Sequence, residues 1–209
     1  MAKEKATATL GVRAGQVRSQ FQEHAEALYL TSSYVFDNAA HAAERFGGGE
    51  GMVYTRYTNP TVGMFQDRLA ALEGGESCVA TGSGMAAILA SAMTHLKAGD
   101  HVVCSNAVFG ATIQLFSTLL GRFGIETTYV SPAKLEEWEK AVRKNTRLLF
   151  LETPSNPLTE ISDIERLSKV AKRAGALLAV DNVFCTPVQQ QPLKLGADLV
   201  VHSATKYID

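Results

Sequence analysis

The sequence predicts an α/β domain built on a mostly parallel, doubly wound sheet. Two observations carry that expectation. Short apolar runs, "SCVAT", "HVVCS", "IETTYV", "RLLFLE", "ALLAVD" and "DLVVHS", recur along the second two thirds of the chain as strand signals. Between them lie stretches whose apolar residues return at helical spacing. Strands alternating with amphipathic helices indicate βαβ units and a parallel sheet covered on both faces. At 209 residues, 46% hydrophobic and 20% charged, the chain is long enough to bury one substantial core.

Each element has its own signal. Residues 1 to about 58 read as irregular, with "FGGGEGMVYTRYTNPT" as their most distinctive part. Pro60 suits the first turn of a helix capped by Asn59, and Met64, Phe65, Leu69 and Leu72 keep its spacing until Gly74 and Gly75 stop it. After the strand "SCVAT" comes a helix over 84–97, ended by Gly99. "HVVCS" precedes a helix over 111–123, and "IETTYV" precedes one opened by Ser131 and Pro132 that runs through Trp138. Beyond "RLLFLE", Ser162 and Glu165 form a capping box for a helix ending near Ala174, and "ALLAVD" and "DLVVHS" complete the series.

Composition narrows the function. A formal net charge of -1 gives no electrostatic footprint for nucleic acid or an anionic membrane. No apolar run approaches the ~20 residues of a membrane span, and "MAKEKATATL" lacks the apolar stretch of a signal peptide. Cys78, Cys104 and Cys185 make no CxxC pair and read as small buried residues of a reduced, cytoplasmic protein. The five histidines include no HExxH, so a metal site is not expected.

In open parallel sheets, ligands bind beyond the carboxyl ends of the strands, so the residues just past each strand are informative. These are "TGSGMAA", "SNAVFGAT", "ETPSNP", "DNVF" and "HSATK", all polar, glycine-rich or charged. "TGSGMAA" sets Gly82 and Gly84 at a helix N-terminus, where backbone N–H groups and the helix dipole favour an anion. It also satisfies G-x-G-x-x-A, so a dinucleotide site is a rival. That rival needs an acidic residue ending the next strand. The strand ends instead in Ser105 and Asn106, with Asp100 at its other end, which favours a smaller phosphate ligand. A ligand-free glycine turn also remains open.

Asp181 ends an apolar strand, where a carboxylate must be paired or serve as a cap. Lys206 comes after the next strand, a position a surface lysine would also occupy. Together, an aspartate, a lysine and a phosphate cradle match the needs of pyridoxal phosphate: an amine for its aldehyde, an anion for its ring nitrogen, and donors for its phosphate. Ser203 and Thr205 flank the lysine with two further hydroxyl donors.

"VDNVFCTPVQQQPLKLGADLVVHSATKY" closely resembles the cystathionine γ-synthase-like, or Cys/Met-metabolism, family of pyridoxal phosphate enzymes, with "YTRYTNPT", "SGMAA", "VFGAT" and "ETPSNP" in matching order. The resemblance spans almost the whole chain. It implies an aspartate-aminotransferase-like, fold type I large domain. It further implies that Lys206 is the Schiff-base lysine and proton shuttle, that Asp181 partners the pyridine nitrogen, and that Gly84, Met85, Ser203 and Thr205 cradle the phosphate. Tyr54 and Arg56 resemble a pair that completes the phosphate site of a neighbouring subunit, so a homotetramer of dimers with shared active sites is implied. Asn156 resembles a residue near the cofactor's ring oxygen and the substrate carboxylate.

Phe109 occupies the place of the aromatic that stacks on the cofactor ring, where many members carry Tyr. Phenylalanine keeps the stacking and loses the hydroxyl. This "VFGAT" form is most similar to the sulfhydrylases that use free sulfide on O-succinylhomoserine. Cystathionine γ-synthase and methionine or cystathionine γ-lyase activities remain alternatives, as does a non-catalytic or NAD-binding α/β domain. By the resemblance, residues 1–58 are an N-terminal segment making inter-subunit contacts and 59–209 an incomplete large domain. Members continue past the cofactor lysine, so a truncated chain lacking the C-terminal small domain is expected.

Overall fold

The computed structural model describes residues 6–208, and the chain divides into two compact units, residues 1–80 and 81–209. In the first unit, α1 (Thr7–Arg13) and α2 (Ala39–Phe46) interrupt the stretch expected to be irregular, and α3 (Pro60–Glu73) comes next. The α2 helix begins where the Asn38 side chain accepts from His41 N–H at 2.9 Å, a cap the composition of the segment obscures. Asn59 caps α3 by accepting from Thr61 N–H at 2.9 Å, and its amide donates to Tyr29 O and Thr55 Oγ1. One side chain thus starts a helix and ties down two neighbouring segments.

Residues 77–81 form no strand. Val79 is 78% exposed and the Ala80 N–H is taken by the Gln66 side chain at 2.9 Å. Their apolar character therefore joins no sheet face, and local side-chain pairing replaces a ladder.

The second unit holds a five-stranded sheet: β1 (His101–Ser105), β2 (Glu126–Val130), β3 (Thr146–Glu152), β4 (Leu177–Asp181) and β5 (Leu199–Val201). Its order is β2-β1-β3-β4-β5 and every pairing is parallel. Alternate strand residues feed two cores. Val102, Cys104, Leu148 and Phe150 pack with α4 (Gly84–His95), with α5 (Gly110–Gln114) and with its π-helical continuation Leu115–Leu120. Val103, Leu149, Leu151 and Val180 pack on the other face against α6 (Leu135–Ala141) and α7 (Ile164–Ala174). This is the doubly wound α/β sheet the sequence predicts.

The N-cap of α7 is Asp163, which accepts from Arg166 N–H at 2.9 Å, whereas the sequence pattern points to Ser162. Ser162 is buried and its hydroxyl is directed to Pro132 O instead, leaving the stronger carboxylate acceptor at the helix start. Cys104 is buried, while Cys78 and Cys185 are only partly so. Among the described residues, no helix is long and apolar enough to cross a membrane.

Candidate active site

Because all five strands are parallel, their carboxyl ends share one edge, with Glu152 and Asp181 as the last residues of β3 and β4. Order reverses between β1 and β3, which run into the Phe109 and Asn156 loops respectively, so a crevice opens there. All the candidate residues of the second unit fall along this edge.

The phosphate-type cradle is built by close packing. The α4 helix is capped by Ser83, whose hydroxyl accepts from Ala86 N–H at 3.1 Å. The N–H groups of Gly84 and Met85 then have no partner inside the helix, and the dipole favours an anion beside them. Gly84 lies against the segment beyond β5: a Cβ added there would meet the Ser203 Cβ at 2.8 Å and its Cα at 3.2 Å. Only glycine lets the helix start and the Ser203 hydroxyl approach this closely. A small phosphate fits the chemistry of that donor set.

Asp181 is held by Val183 N–H, which donates to its Oδ1 at 3.1 Å. Burial pushes its carboxyl up to about 6, against the opposing pull of that hydrogen bond and of nearby His202. A carboxylate kept in so dry a place is stabilised by any cation that enters, such as a protonated ring nitrogen. Lys206 lies five residues past β5 in an exposed turn, its backbone N–H donating to Ser203 O at 3.2 Å, with Thr205 exposed beside it. Phe109 precedes α5 and is 49% exposed, so its ring has a face available for stacking.

Asn156 lies in a loop whose Thr153–Pro154 and Asn156–Pro157 peptides are cis. Gln190 fastens that loop to the end of β4, donating to Thr153 O at 3.0 Å and to Asn182 Oδ1 at 2.8 Å. Pro154, Asn156, Phe184, Cys185 and Tyr207 are among the residues lining an adjoining groove of about 730 Å³.

Glu152 is a site residue that the sequence patterns do not single out. It is 2% exposed and accepts from Phe109 N–H at 2.7 Å. Burial pushes its carboxyl up to about 7; the Phe109 hydrogen bond and the Asn156 amide oppose this and the neighbouring Asp181 adds to it. "RLLFLE" ends in a carboxylate as "ALLAVD" does, and that shared signal is the one that could have found it.

Tyr54 and Arg56 belong to the first unit. Tyr54 forms a bridge with Ser33, and Thr55 N–H donates to Ser32 O at 3.0 Å, pinning the segment to its neighbour. The Arg56 guanidinium lies 5.0 Å from the Tyr54 ring centroid and 5.4 Å from that of Tyr57. These side chains border a groove of about 700 Å³ that Tyr29, Asn59 and Val62 also line.

Comparison with known proteins identifies the family. A family model described as Cys/Met metabolism PLP-dependent enzyme matches residues 8–209. The chain is 60% identical over 202 residues to the O-succinylhomoserine sulfhydrylase of Pseudomonas aeruginosa, covering 96% of this chain and 50% of that protein. It is 48% identical over 203 residues to the L-methionine gamma-lyase of Fusobacterium nucleatum subsp. polymorphum, covering 96% and 51% respectively. A crystal structure of a putative O-acetylhomoserine (thiol)-lyase from Campylobacter jejuni, containing N'-pyridoxyl-lysine-5'-monophosphate, aligns with a TM-score of 0.91 at 35% identity, covering 97% of this chain and 50% of that one. The chain spans about half the length of the curated relatives it matches. The chain belongs to the family of pyridoxal phosphate-dependent enzymes of cysteine and methionine metabolism.

Proposed function

We propose that the whole protein is an O-succinylhomoserine sulfhydrylase: sulfide displaces succinate from Cγ of O-succinylhomoserine, giving homocysteine. The observation that carries this choice within the family is the 60% identity to a sulfhydrylase, and Phe109 at the stacking position supports it. The cofactor supplies an electron sink for the carbanionic character that develops on the amino acid.

The chain's own residues supply the rest. Gly84 and Met85 N–H groups with the Ser203 and Thr205 hydroxyls would hold the phosphate, and Asp181 would hold the ring nitrogen protonated. Phe109 would stack on the ring without offering a proton, and Asn156 would face the ring oxygen and the substrate carboxylate. Lys206 Nζ would bind the aldehyde at rest and carry the proton between substrate carbons during turnover. The N-terminal segment would lend Tyr54 and Arg56 to the phosphate of a neighbouring subunit, within a homotetramer built from dimers.

The test is competition. Full-length protein receives O-succinylhomoserine with equal sulfide and cysteine, and products are identified by mass spectrometry. Predominant homocysteine supports the proposal. Predominant cystathionine assigns a γ-synthase instead, and ketoacid release without thiol incorporation assigns a γ-lyase.

A further inference from the structure

Glu152 is the largest charged side chain buried at the carboxyl edge of the sheet, and the proposed chemistry does not use it. Its position is shared with Asp181: the two are register partners on adjacent parallel strands, so their side chains emerge on the same face, with strands about 4.8 Å apart. Its carboxylate accepts one backbone amide from the loop after β1 and lies at the root of the loop after β3, where a second amide pulls its pKa down. The accepted amide is Phe109 N–H at 2.7 Å, which fixes the residue carrying the aromatic ring; the second amide is that of Asn156. Phe109 and Glu152 are 43 positions apart in sequence, so this bond ties the loop after β1 to the end of β3, where the strand order reverses.

We propose that Glu152 is a positioning residue of the cofactor pocket, its carboxylate joining the Phe109 loop to the Asn156 loop so that the aromatic ring and the amide stand at a fixed separation over the end of β4. The inference rests on the family's use of pyridoxal phosphate and deepens it. Both amides present N–H donors toward Glu152, and a carboxylate meets them with two acceptor oxygens and no donor of its own. Its burial beside Asp181, which raises both groups above the usual carboxylate range, fits a site that a cation completes. Phe109 is half exposed, so its own side-chain packing adds little to the restraint that the amide bond places on it.

The discriminating change is Glu152→Gln in the full-length protein. Glutamine replaces one acceptor oxygen by an NH2 donor without leaving a cavity, so the two amides must share one oxygen or one of them loses its acceptor. Glu152→Ala releases both. Apo protein is titrated with pyridoxal phosphate, and visible circular dichroism of the bound cofactor reports ring orientation. Expected is a Kd raised ~10-fold or more in Glu152→Gln, as loss of one charged hydrogen bond allows, with a diminished or shifted visible dichroic band. Glu152→Ala, where it folds, goes further in the same direction. A Glu152→Gln protein with wild-type Kd and an unchanged band overturns the inference while leaving the cofactor assignment intact. Wild-type protein that takes up no pyridoxal phosphate overturns both.

Discussion

Gly84, the first residue of α4, and Ser203, two residues beyond β5, approach so closely that a methyl group on the glycine would lie 2.8 Å from the serine Cβ. The contact sets a helix N-terminus beside a hydroxyl, which is what a phosphate needs. Gly84→Ala must therefore push the two apart. The expected outcome is ~10-fold or greater weakening of pyridoxal phosphate binding by the full-length apo protein, measured by absorbance titration, since even a single hydrogen bond to a charged group is worth ~1.5–3 kcal/mol. Unchanged affinity would show that this junction does not carry the phosphate.

The edge of the sheet also sets a pH dependence. Glu152 is pushed up to about 7 and Asp181 to about 6, above the range of unfolded carboxyls. A raised folded pKa means the native state holds the proton more tightly. The resulting stability is fully present below the unfolded pKa of ~4 and is lost as pH rises through about 6 to 7. Glu152→Gln removes one of these titrations. The melting temperature of the apo variant relative to wild type is expected to rise steadily between about pH 4.5 and 7.5, and a difference independent of pH would contradict it.

At the N-terminal unit the prediction concerns folding. Asn59 both caps α3 and donates to Tyr29 O and Thr55 Oγ1. Asn59→Ala should cost ~1–2 kcal/mol for the cap, with further loss from the two acceptors. Denaturant unfolding of the full-length protein checks it, and a loss below ~0.5 kcal/mol would mean the cap is dispensable.

The proposed sharing of sites between subunits predicts complementation. Lys206→Ala and Arg56→Ala proteins should each be inactive alone. Mixed through reversible subunit dissociation, they should recover roughly a quarter of wild-type activity, because half the dimers are hybrid and each hybrid has one intact site of two. No recovery in verified hybrids would place Arg56 in its own subunit's site.

Burial decides how much of this is legible in the sequence. Strands β1, β3 and β4 announce themselves because their residues are buried against helices on both sides, so sequence and environment agree. Residues 77–81 carry a similar signal and make no ladder, since Val79 faces solvent and Ala80 N–H turns to Gln66. Ser162 and Asp163 compete for one helix start, and spacing alone does not show that Ser162 is drawn into the core toward Pro132 O. Asp181 is recognisable because a lysine and a glycine turn give it a chemical partner. Glu152 is not, because its partners are backbone amides, one of them 43 residues away, which leave no trace in composition or spacing.

The most direct test concerns Lys206. The full-length protein, loaded with pyridoxal phosphate, is reduced with borohydride, digested and mapped by mass spectrometry. The account predicts a phosphopyridoxyl group on the peptide containing Lys206, and turnover lowered by at least ~10²-fold in Lys206→Ala. A label on another lysine, or none, would contradict it.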